Sequence, residues 1–201
     1  MVINLNNYSR SQFLTFVFDH PVSEPEWYFN EELEFEGSDT AALTHCIDLF
    51  RNSSVLLTRF RPEQLEQGFW FLLGSEFDLP RYIWDERISS QLRRESILAM
   101  VDVYGQLFSE DPLETIGHMW WDLVITEYQR RDSALEETML EALSSILRID
   151  SLECQKAALH GLGHLESDAK KAVIETYLKE HPHIDLDTQA YAEAAIQGRV
   201  Q

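Results

Sequence analysis

Basic residues are scarce in this chain. Sixteen lysines and arginines face 35 aspartates and glutamates, for a formal net charge of −19 over 201 residues. That balance repels nucleic acid and anionic lipid surfaces, and it favours basic partners. Cysteine is scarce too. Cys46 and Cys154 are the only two, which excludes a disulfide framework and a Cys-based zinc site. No apolar run approaches the ~20 residues of a membrane span. The opening stretch "MVINLNNYSR" lacks a basic-then-apolar signal pattern. A reducing cytoplasm is the expected compartment. Eight glycines and six prolines leave little material for a turn-rich β fold.

Between these sparse breakers lie segments with helical period. "SRSQFLTFVFDH" puts Phe13, Phe16 and Val17 on one face, with Ser9 or Ser11 as the cap. "DTAALTHCIDLFRN" buries Leu43, Cys46, Ile47, Leu49 and Phe50. "RPEQLEQGFWFLLG" starts at Pro62, stops at Gly74 and is apolar all round at "GFWFLL", which predicts a central helix. "SSQLRRESILAMVDVYGQLF" is one long helix, and "DPLETIGHMWWDLVITEYQRR" starts at an Asp cap before Pro112. Trp120 and Trp121 are adjacent, so at most one is expected to face the core squarely. In the last third, Ser133, Ser151, Ser167 and Asp187 precede four further helical runs as caps. No run alternates with period two, so the chain reads as all-α. Residues 21–37, "PVSEPEWYFNEELEFEG", read as a long loop that mixes aromatic and acidic residues.

The stretch "ALHGLGHL", 158–165, decides whether any chemistry is legible. At about 100° per residue, Leu159, Leu162, Ala158, Leu165 and Cys154 share one arc of the helix. Glu153, Lys156, His160 and His164 share the opposite arc. A phosphate loop is excluded, because the glycines lie mid-helix without a preceding strand. Glu153, His160 and His164 form a possible three-ligand metal set. The metalloprotease pattern is absent, since Gly161 stands where its glutamate belongs. The reading taken here is close packing through Gly161 and Gly163, with the histidines as partly solvated flank residues and no metal or cofactor. Asp122 with Glu127, and Glu136 with Glu137 and Glu141, read as solvated faces rather than acid–base pairs. No GxSxG elbow occurs.

Helical runs recur. Shifting the chain by 34 residues puts Met139, Leu140 and Leu143 on Val173, Ile174 and Tyr177. A shift of 35 puts Ala157 and Gly163 on Ala192 and Gly198. Such periods mark stacked helical repeats. "SLECQKAALHGLGHL" resembles the second helix of a HEAT-type repeat in Ser151, Lys156, Ala157, Ala158, Leu162 and Gly163. The usual Asp-x-x-Val-Arg lead-in is replaced by Leu152, Glu153 and Gln155. The resemblance covers 133–198, more weakly 88–130, and no part of 1–87. "FLTFVFDHP", "EWYF" and "QGFWFLLG" also resemble a group of bacterial proteins with HEAT-like tails. The resemblance implies one domain: a non-repeat helical part over 1–87 and a short right-handed α-solenoid of antiparallel helix pairs over 88–201. It implies protein binding and no catalytic residue.

The expectation is therefore a non-enzymatic interaction module that binds a basic protein, one concrete version being an immunity-type antagonist of a toxin. The alternative is a small metal-dependent enzyme built on Glu153, His160 and His164. The expected contact is the acidic loop, through Trp27, Tyr28, Glu31, Glu32, Glu34 and Glu36. Residues 1–40 hold eight acids and one base, Arg10, and aromatics are favoured at interface cores.

Overall fold

A computed structural model describes residues 3–30, 34–74, 76–113, 115–126 and 132–200. Helices dominate: α1 Arg10–Phe18, α2 Trp27–Asn30, α3 Asp39–Arg51, α4 Leu56–Arg59, α5 Pro62–Leu73, α6 Leu79–Trp84, α7 Ser90–Val103, α8 Ile116–Thr126, α9 Ser133–Ile146, α10 Leu152–His164, α11 Lys170–Glu180 and α12 Leu186–Ile196. The class is all-α, as expected. The only strands among the described residues are β1, Ile3–Asn4, and β2, Phe35–Glu36, which pair in parallel through Ile3 with Phe35 and Asn4 with Glu36.

Local chemistry starts most of the helices. Ser9 opens α1 in a capping box with Gln12, Ser38 caps α3, and Ser151 caps α10 by accepting from the Cys154 N–H. Two expected caps move by one or two residues and a third is absent. Asp132, not Ser133, caps α9; Asp185, not Asp187, caps α12; and α11 begins after Ala169 without a side-chain cap, so Ser167 is not its cap. A carboxylate with the right backbone geometry displaces a nearby hydroxyl or a carboxylate already inside the helix.

The start of α8 differs for a tertiary reason. Asp111 does not open a helix; it accepts from the Leu113 N–H, and Leu113 takes a left-handed backbone at φ 59°. The helix begins at Ile116, where Glu66 of α5 accepts from the N–H groups of Thr115 and Ile116 at 3.1 and 3.0 Å. A carboxylate from another helix thus satisfies the orphan donors and complements the positive end of α8. The long helix through α7 is confirmed, with a π-helical turn at Tyr104–Phe108 as its continuation.

Two rows of helices carry the packing. One runs α3 to α7 to α9; the other runs α5 to α8 to α10 to α12. α10 is the hub, against α8, α12 and α9, and α1 sits on α5 and α3. Two kinds of interior share this frame. In the N-terminal half, Phe71 lies among Phe16, Trp27, Tyr28 and Phe77 at ring separations of 5.5, 5.0, 5.9 and 5.8 Å. Around α9, α10 and α12 the interior is mostly aliphatic and small: Leu143, Ala157, Ala158, Leu159, Leu162, Ala192 and Ala195 are all buried. Trp120 and Trp121 are both fully buried, against the expectation that only one faces the core. α8 has neighbours on several sides, so both sides of the helix are interior.

Candidate functional site

The glycines of "ALHGLGHL" do what packing demands. A Cβ on Gly161 would lie 2.8 Å from Cβ and Cγ of Trp121 and 2.7 Å from Leu143 Cδ2. On Gly163 it would lie 2.4 Å from a Val200 methyl. α10 therefore meets α8 at a distance that only a residue without a side chain allows.

That close approach has a second result. Asp122 follows Trp121 on α8, and it is carried to the face where His160 and His164 stand one turn apart. His160 Nε2 lies 2.9 Å from Asp122 Oδ2, and His164 Nε2 lies 2.6 Å from Asp122 Oδ1. The two Nε2 atoms are 3.3 Å apart. His160 Nδ1 is 2.5 Å from the Tyr191 hydroxyl of α12. Neutral imidazoles satisfy this chain when both Nε2–H groups donate to the carboxylate and the Tyr191 O–H donates to Nδ1.

The histidine arc of α10 is therefore not a partly solvated flank. His160 is buried, 1% exposed, and His164 is a quarter exposed. A helical wheel finds the most apolar arc, but a hub helix also buries its polar arc when neighbours satisfy it. Asp122 is likewise not on a solvated face, its side chain being 18% exposed; Glu127, its expected companion, lies outside the described residues. Glu153 stays apart from the two histidines. It is 57% exposed and paired with Lys156 at 3.2 Å. The third group with His160 and His164 is Asp122, 38 residues away from His160 in sequence, a separation at which helical period carries no signal.

His118, one turn before Asp122 on α8, packs against His160 at a ring separation of 4.4 Å. Burial and then the neighbouring His160 push its imidazole below the ordinary range. Burial does the same to His164, opposed by Asp122. Burial, with Asp122 adding to it, pushes Tyr191 up to about 12, so its hydroxyl stays protonated. Beside the cluster, His118, Lys156, Asp187, Thr188 and Tyr191 line a surface cavity of about 250 Å³.

The acidic loop is arranged differently from the expectation. Trp27 and Tyr28 are buried, and Trp27 stacks on His20 at 3.5 Å. Phe29 is the aromatic that faces solvent, 60% exposed. Glu34 and Glu36 are exposed, with Glu36 accepting from the Asn4 side chain at 2.8 Å; Glu31 and Glu32 lie outside the described residues. Burial, then Glu26, Glu76 and Glu66, push the Tyr28 phenol up to about 12. Acids from α5 and its following loop thus add to the negative field of this loop.

Among the described residues, no helix is long and apolar enough to cross a membrane. No family model, no curated protein and no solved structure matches the chain.

Proposed function

We propose that the chain is a non-enzymatic interaction module that binds a basic protein through the acidic loop 21–37, in the manner of an immunity-type antagonist that covers a cationic site. The observation that carries this reading is Phe29. It stands 60% exposed beside the buried Trp27 and Tyr28, in a stretch where Glu24, Glu34 and Glu36 are also exposed. A solvated aromatic on an anchored turn, in a stretch rich in exposed acids, can supply a desolvated centre and a charged rim. The net charge of −19 adds long-range attraction for a basic surface and repulsion of nucleic acid.

We take the two helix rows as a short right-handed HEAT-like solenoid of antiparallel pairs over 88–201, with a non-repeat helical part over 1–87. Contacts between alternate helices, α7 with α9, α8 with α10 and α10 with α12, support it, because stacking of pairs produces them. The buried thiols of Cys46 and Cys154 suit a reducing cytoplasm.

The test is co-purification with the product of the adjoining gene, followed by association kinetics at two salt concentrations. Reversing Glu31, Glu32, Glu34 and Glu36 to Lys should slow association and flatten its salt dependence. Phe29→Ser should speed dissociation instead. Unchanged rates in both variants would move the interface away from this loop.

A further inference from the structure

We propose that Asp122, His160 and His164 form a mononuclear site for a borderline divalent transition-metal ion of the Zn²⁺ or Fe²⁺ class, shared between α8 and α10. The inference is independent of the interaction reading above.

Donor spacing is the first support. An ion about 2.0–2.2 Å from each donor, as for His nitrogen and carboxylate oxygen on tetrahedral zinc, requires donors roughly 3.3–3.6 Å apart. The two imidazole nitrogens, 3.3 Å apart, already stand at that spacing, while the carboxylate, hydrogen-bonded to both, stands closer at 2.6 and 2.9 Å. All three donor atoms lie within 4.8 Å of one another, and they come from two helices whose approach is fixed by Gly161 against Trp121. Small outward shifts of the Asp122 side chain open the triangle to the required size.

The donor chemistry is the second. Two imidazole nitrogens with one carboxylate oxygen suit zinc and non-haem iron and are poor for calcium or magnesium, which take oxygen ligands. Three protein donors leave a further position for water or another ligand. His164 and Asp122 are each partly exposed, so an ion can enter without unfolding of the helices.

Support around the donors is the third. A ligating histidine almost always hands its other ring N–H to a fixed acceptor. His160 Nδ1 already sits 2.5 Å from the Tyr191 oxygen. With metal on Nε2, each neutral imidazole carries its one proton on Nδ1 instead of Nε2, an exchange through solvent with no net proton released, and the His160 Nδ1–H then donates to the Tyr191 oxygen, whose own O–H turns away. Tyr191 is thus a positioning residue. His118 packs against the His160 ring and limits its rotation. Glu153, at 57% exposure and paired with Lys156, takes no part.

The experiment uses the full chain, stripped with a chelator and titrated with Zn²⁺ and separately with Co²⁺. One equivalent should bind, with a visible Co²⁺ spectrum of low coordination number and no thiolate band. His164→Gln and Asp122→Asn should each weaken binding by about 100-fold or more, exceeding the 10–100-fold typical of losing an outer-shell partner. Tyr191→Phe should weaken it about 10-fold, and Glu153→Gln should leave it unchanged. Circular dichroism checks that each variant is folded. If the variants do not fold, imidazole ¹⁵N spectra of the wild type decide the matter: one equivalent of Zn²⁺ should shift the Nε2 resonances of His160 and His164 and spare His181 and His183. Absence of stoichiometric binding, binding that persists in a folded His164→Gln variant, equal loss in Glu153→Gln, or shifts confined to other histidines would each overturn the site.

Discussion

The two halves of the molecule fill their interiors in opposite ways. Around α1, α5 and the loop after α5, large rings meet edge to face: Phe16 against Phe71, Phe18 against Phe69 and Phe13 against Phe77 lie 5.5, 5.1 and 6.1 Å apart. Volume is supplied by side chains, and the connecting segments are irregular. Around α10, volume is removed instead. Alanines and glycines let backbones approach, and the space between helices is narrow enough for polar groups on facing helices to reach each other. His160 with Asp122 and Tyr191, and the Tyr177 hydroxyl donating to Gln155 at 2.9 Å, are the result. An aromatic interior holds a fold together; a small-residue interface can also hold a chemical group in place.

The contrast can be broken most directly by removing the central ring. Phe71→Ala should cost about 3–5 kcal/mol, the range for emptying a buried aromatic site, read by urea unfolding, whereas Phe71→Leu should cost much less. Comparable costs for both would mean that ring volume is not what this half depends on.

The reciprocal change adds bulk to the other half. Gly161→Leu should cost about 3 kcal/mol, the upper part of the overpacking range, because the opposing atoms include Cβ of Trp121, which cannot move without its backbone. Gly68→Ala tests how far the contrast extends. Its added Cβ would meet the Phe18 ring at 2.3 Å and the Val17 carbonyl at 2.8 Å, so one glycine in the aromatic half is also a contact residue. A cost for Gly68→Ala equal to that for Gly161→Ala would narrow the contrast to the region around α10.

Glu66 joins the halves, since it leaves α5 to cap α8. Glu66→Ala should cost about 1–2 kcal/mol, the range for a lost cap, and should lower amide protection at Thr115 and Ile116 in hydrogen exchange. Normal protection there would show that water replaces the carboxylate. The smallest effect is expected at the surface. Phe29→Ser should change stability by no more than about 0.5 kcal/mol, since Trp27 and Tyr28 rather than Phe29 anchor the loop. A larger loss would make Phe29 a structural residue and weaken its assignment to a partner.

Much of the fold is legible in the residues. Apolar spacing located the major helices, because a turn of helix couples only positions three or four apart. Ser9, Ser151, Pro62 and Gly74 mark helix ends for the same local reason. The packing role of Gly161 was readable as well, because a mid-helix glycine costs roughly 1 kcal/mol and calls for a compensating contact.

The site was legible only in part. His160 and His164 announce themselves as an i, i+4 pair, but Glu153 on the same helix was a closer match by pattern than Asp122, which looked like one more surface acid. Trp27 and Tyr28 read as partner contacts from composition alone, yet both are buried and Phe29 is outside. By itself the sequence determined the class, the helices and the pair of histidines, all of which follow from interactions within one turn. Tertiary structure alone decided that α10 is surrounded, that Glu66 caps a helix 50 residues on, and that Asp122 completes the histidine pair. Those outcomes depend on which helices touch and how closely, and the Cβ missing from Gly161 sets that distance only after Trp121 has been brought against it.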